Sequence, residues 1–167
     1  MHADLKALAT SVKTIATIRD WDVLDDGWME FISPLDIEGV TVLGLQLRMR
    51  ARKSLPDECV IGQLECIGKR NKHEPLVRAE WRPLSGHNNK GKGPAELQFV
   101  QIDGTHLHPF DLNYDSISNT MVGANLPIAI PHQDIDSYHK FLDLCANSFK
   151  IGNMTSVPLP PWEPSLT

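Results

Sequence analysis

Three of the chain's seven histidines fall within one stretch, "GHNNKGKGPAELQFVQIDGTHLHPFD" (86–111). His106 and His108 stand two residues apart. On a strand that spacing points both imidazoles to one side, which suits a pair of nitrogen ligands for a divalent transition metal. Asp111 or His87 could supply a third ligand. The same groups also permit chemistry without a metal. His87, His106 and His108 are of the type that titrates near neutral pH, so one could serve as base and another as acid. Cleavage of RNA or a nucleotide by such a pair needs a cation beside the phosphate, and Lys90, Lys92, Arg78 and Arg82 lie nearby in sequence. In that reading His106 or His108 is the base, His87 the acid or second ligand, and Arg82 or Lys90 the phosphate contact. A plainer alternative is that the histidines only hydrogen-bond backbone groups at a sheet edge. Spacing does not decide whether His87 reaches the other two.

Arg48, Arg50 and Arg52 alternate along "VTVLGLQLRMRARK" (40–53) and share a strand face, which Arg78 and Arg82 could extend. Such a stripe could hold phosphates or an acidic protein partner. The competing reading is an ordinary solvent face, interleaved with Glu65 and Glu80. Other chemistries lack their residues. "SGHNNKGKGP" has no Gly-Lys-Ser/Thr and no helix pattern behind it, so it is not a phosphate-binding loop. Asp20, Asp22, Asp25 and Asp26 lack the order and the downstream Glu of a calcium loop. Cys59, Cys66 and Cys145 have no Cys-x-x-Cys spacing and read as reduced, buried thiols of a cytoplasmic protein. Neither Ser85 nor Ser116 sits in Gly-x-Ser-x-Gly.

The elements that must position these groups follow from periodicity. Leu5, Leu8, Val12 and Ile15 predict an amphipathic helix over 3–18. Strands are predicted at 28–35, 40–53, 59–68, 76–84 and 95–102. Asp103-Gly104 then predicts a tight hairpin turn into a short sixth strand, "THLHPF". Residues 112–133 read as irregular. A last helix is predicted at about 135–150, with Asp134 as N-cap and Gly152 just past its end. The expected fold is α+β: a single twisted antiparallel meander of five to six strands, with an N-terminal and a C-terminal helix packed on it. Residues 1–154 form one domain, and 155–167 a proline-rich tail that Trp162 pins to the body.

With 167 residues, 41% hydrophobic and 22% charged, the composition is that of a soluble globular domain. The net charge of −5 argues against whole-surface attraction to nucleic acid, though not against a local basic face. The amino terminus reads as amphipathic rather than as a signal peptide, and no apolar run is long enough for a membrane span.

Three stretches carry a resemblance: "EWRPLSGHNN" (80–89), "GTHLHPFD" (104–111) and "YHKFLDLCANSFKIGN" (138–153). Together they resemble small proteins of bacteria, phages and mobile elements that combine a His-x-Asn loop, a His-x-His strand and a Phe-Leu-x-x-Cys closing helix. Some of these look like the toxins of toxin–antitoxin pairs. The likeness covers roughly the second half of the chain. It departs where the loop is longer and richer in Lys and Gly, and where "HPFD" replaces a more aromatic continuation. The resemblance implies a mobile-element or defence setting and marks His87, Asn88, His106 and His108 as the positions to test. Three functional expectations follow: an accessory or toxin-like protein acting on RNA or nucleotides through its histidines, a non-enzymatic protein-binding module or inhibitor using the sheet face, or a His-x-His metal scaffold.

Overall fold

Strict alternation builds the centre of the sheet. In the computed structural model, which describes residues 3–164, the chain runs α1 (Leu5–Thr10), β1 (Thr14–Ile15), β2 (Asp22–Val23), β3 (Trp28–Ile37), β4 (Val40–Arg52), β5 (Val60–Ile67), β6 (His73–Trp81), β7 (His87–Asn88), β8 (Gln101–Ile102), β9 (His106–His108), β10 (Tyr114–Asp115), β11 (Thr120–Met121), β12 (Ile130–Pro131) and α2 (Tyr138–Phe149). One antiparallel sheet has the order β1-β3-β4-β5-β6-β9-β12, with β2 also paired to β3, so it holds eight strands rather than five or six. Two-stranded ribbons β7–β8 and β10–β11 stand apart from it. The α+β, antiparallel class is as expected.

One face of the sheet is apolar. Phe31, Leu47, Met49, Leu64, Ala79 and Trp81 are fully covered, and α2 lies on them with Phe141, Cys145 and Phe149. The Trp81 ring stacks on Phe141 at 5.7 Å, and its Nε1 donates to Ile135 O at 2.8 Å. Gly62 sets how close the helix comes: a Cβ there would lie 2.9 Å from Cys145 Sγ. The three cysteines are free and buried. The tail returns to this side, where the Trp162 ring meets Tyr138 edge-on at 5.9 Å and Pro158 O accepts from Trp21 Nε1 and Tyr138 Oη. Residues 165–167 of the expected tail lie outside the described residues, as do 1–2 of the expected N-terminal stretch.

Four local expectations need correction. The first helix ends at Thr10, because "VKTIATI" is mostly β-branched and prefers an extended strand. Val12 is 72% exposed, not part of a buried stripe. The buried Lys13 ammonium closes the helix by donating to Leu8 O and Ala9 O at 2.8 and 3.2 Å. At 95–102, Pro94 starts a 3-10 turn and only Gln101–Ile102 is strand. That strand pairs with His87–Asn88, not with β9, so Asp103-Gly104 turns the chain between sheets instead of closing a hairpin. Residues 112–133, expected to be irregular, contain β10, β11 and β12. Finally, Ser137 caps α2 and Lys150 ends it in the left-handed region, while Asp134 is taken by Arg82. No helix among the described residues is long and apolar enough to cross a membrane.

Candidate metal centre

The missing hairpin is what builds the site. With β8 drawn away, β9 pairs directly with β6 and sets Glu80 opposite His106 and Arg78 opposite His108. Ala79 and Trp81 face the helix, so by alternation these four side chains project from the other face. There the β7–β8 ribbon and the 122–129 loop fold over them. The His87 ring comes to 5.7 Å from that of His106 and 4.8 Å from that of His108, and those two are 5.0 Å apart. One ring nitrogen from each lies within 4.8 Å of the others. His106 and His108 are buried at 1% and 2% exposure, while His87 is half-buried.

Hydrogen bonding fixes which nitrogens remain free. His106 Nδ1 sits 2.8 Å from Gly104 O, and His108 Nδ1 2.7 Å from Leu126 O. His87 Nε2 is 3.0 Å from both Pro127 O and Asn89 Oδ1. Carbonyl oxygens only accept, so each of these nitrogens carries the proton. Asn89 cannot be flipped, because its Nδ2 donates to Leu97 O and Ala129 O and its Oδ1 also accepts from Ala129 N. The lone pairs left over are on His106 Nε2, His108 Nε2 and His87 Nδ1. A ring N–H spent on a backbone carbonyl, with the other nitrogen free, is the usual orientation of a metal-ligating histidine. The expectation of backbone hydrogen bonding thus holds for one nitrogen of each ring, and the other nitrogen remains available.

Glu80 completes the arrangement. Its Oε1 is 3.5 Å from His108 Nε2 and its Oε2 3.7 Å from His106 Nε2. These contacts are too long for well-formed hydrogen bonds, and the buried His108 Nε2 has no hydrogen-bond partner among the described residues. Two imidazole lone pairs facing a carboxylate repel it unless a proton or a cation lies between them. Burial lowers the pKa of His106, helped by neighbouring His108 and His87 and opposed by the Gly104 carbonyl and Glu80. For Glu80, burial pushes the pKa up, but the His108 contact and the charges of His106 and Arg78 outweigh it and hold the carboxyl below its ordinary value. Metal ligation requires the neutral imidazole toward which burial biases His106. Nitrogens no more than 4.8 Å apart can share a centre about 2.8 Å from each, against roughly 2.0–2.1 Å for zinc, so closing the site takes less than about 1 Å per ring.

The structure brings together His87, His106 and His108. Asp111 is exposed beyond β9 and is not a member of that cluster. Asn88 Oδ1 accepts from Lys90 N at 2.7 Å. Lys90 and Lys92 are exposed on an open cleft of about 460 Å³ that His87 also lines. The arginines are largely spent on internal partners. Arg48 binds Glu30 and Glu65 at 2.7 and 2.9 Å. Arg50 and Arg52 lie over the Trp28 ring at 4.5 and 5.1 Å. Arg78 donates to Gln63 and Asn125 at 2.9 and 2.6 Å, and Arg82 holds Asp134 with two bonds. Sequence reasoning missed Glu80 and Asn89. Glu80 would have emerged from setting "EW" opposite "THLH", but that register is hidden once 95–102 is read as a strand. Asn89 has no signal beyond its place in "HNN". Comparison with family models, curated proteins and solved structures finds no match for this chain.

Proposed function

We propose that the protein is a metal-dependent hydrolase centred on His87, His106 and His108, with Glu80 beside them. The observation that carries this reading is three imidazoles with ring nitrogens within 4.8 Å of one another, each ring with one nitrogen left over by its carbonyl contact, and that of His108 buried without a partner among the described residues. Three protein ligands with an open side describe a catalytic rather than a structural site. A bound divalent ion would supply Lewis acidity and an acidified water. Glu80 stands where it can serve as a further ligand or take that water's proton. Arg78, 3.9 Å from Glu80 and bonded to Asn125, ties the carboxylate to the loop that covers the site. Sheet-face docking of a protein partner draws less support, since Arg48, Arg78 and Arg82 already hold internal partners and Arg50 and Arg52 lie over the Trp28 ring.

One contact favours a second reading. With a proton instead of a metal between His108 and Glu80, 3.5 Å apart, the pair would act as acid and base. Calorimetric titration of untagged protein with zinc, manganese and nickel separates the two. The metal reading expects one ion per chain, lost in the His106→Ala/His108→Ala variant. Failure of all three metals to bind, or undiminished binding in the variant, sinks it.

A further inference from the structure

The cleft beside the histidines has a distinctive rim. Lys90 and Lys92 flank Gly91, and a Cβ at Gly91 would lie 3.4 Å from Phe99 Cζ. The Phe99 ring therefore rests against the backbone between two lysines, yet it is 77% exposed. The loop that carries these groups is held in one shape. Gly91 N donates to Gln98 O at 2.8 Å, Lys92 N to Asn89 O at 3.1 Å, and Gln98 Nε2 to Gly93 O at 3.0 Å. At Gly93 the loop comes so close to the covering segment that a Cβ would fall 2.9 Å from Ile128 Cγ2. Although the chain's net charge is −5, no carboxylate lines the cleft, and neither lysine has an ion-pair partner among the described residues. Its volume of about 460 Å³ suits a small ligand. Asn88 and Asn125 add amide groups to its wall.

Two exposed lysines on a rigid backbone turn that lines the cleft, with an exposed aromatic ring against that turn just outside the cleft's lining, match a phosphate joined to a flat base. We infer that this cleft binds a nucleotide, its phosphate on Lys90 and Lys92 and its base stacked on Phe99. The inference rests on the reading of the histidine centre as a hydrolytic site and gives that site a substrate class. The nucleotide could be free or part of a single strand, and both present the same chemistry.

Anisotropy of a fluorescent oligouridylate, measured on the full chain in EDTA with unlabelled UMP and inorganic phosphate as competitors, tests it. Lys90→Ala/Lys92→Ala should weaken binding about tenfold and flatten its salt dependence. Phe99→Ala should weaken it about fivefold or more, the size of one lost stacking contact, and Phe99→Trp should retain it. Displacement by UMP identifies a free-nucleotide site, and binding of the oligomer without displacement by UMP identifies a strand site. The inference is overturned if the wild type binds neither oligomer nor UMP. It is equally overturned if the lysine and Phe99 variants bind normally, or if phosphate competes as well as UMP. Metal binding in the absence of nucleotide binding would remove this inference and leave the metal centre standing.

Discussion

His108 Nε2 is buried with no hydrogen-bond partner among the described residues and lies 3.5 Å from the Glu80 carboxylate, an unfavourable place for a lone pair. His108 therefore carries the sharpest consequence at the scale of the single residue. Glu80→Gln keeps the shape but removes the base, so kcat against an activated phosphodiester should fall by about a hundredfold or more while KM changes little. A variant with wild-type kcat would take Glu80 out of the chemistry. Protonation gives a second check, on metal-free protein. The folded pKa of His106 is lowered from 6.5 and that of Glu80 from 4.5. For both groups the unfolded chain takes up protons first as pH falls. The stability each contributes is complete above its ordinary value and is lost as pH drops through the folded one. Denaturation midpoints in EDTA should fall on acidification from pH 7, beginning near 6.5 with His106, and His106→Asn should reduce that first slope. A midpoint that rises on acidification would contradict the assignment.

Among the elements, the cover over the histidines depends on Asn89, which is 1% exposed and bonds Leu97 O, both backbone groups of Ala129, and His87. Asn89→Ala leaves those groups buried without partners, at a cost of about 2–4 kcal/mol. Denaturant unfolding should show that loss, with weaker metal binding, and a loss below about 0.5 kcal/mol would mean the ribbon is held otherwise. Asn113 repeats the device one residue away, bonding both N–H and C=O of Ile128. These brackets mark the limit of what sequence conveyed. β3 to β6 were legible because alternation repeats over eight to thirteen residues. The cover consists of two two-residue strands and a loop, too short for any period, and is held by side-chain to backbone bonds that leave no pattern. "AELQFVQI" misled because its β-rich composition is overruled by Pro94 and by Asn89 taking the Leu97 carbonyl. Hence the pair His106/His108 was legible as a unit, His87 only as a question, and Glu80 not at all.

Taken whole, the molecule is one sheet with an oily face and a polar face. The oily face bears Trp81 and α2, and the histidines lie on the other. The two jobs meet on β6, where Ala79 and Trp81 serve the core while Glu80 serves the site. Trp81→Phe should cost stability through its lost bond to Ile135 yet leave metal affinity nearly intact, and a matching loss of affinity would show that the faces are coupled. An ion bound at a hundred times its Kd should add about 2.7 kcal/mol, or a rise in Tm of roughly 5–11 °C for a chain of this size. The most direct test of the centre is anomalous diffraction from crystals soaked in the metal that titrates best. An ion about 2.0–2.2 Å from His106 Nε2, His108 Nε2 and His87 Nδ1 is the result the proposed metal centre predicts. Rings left in place with no peak between them, or a peak held only by exposed groups such as Asp111, would contradict it.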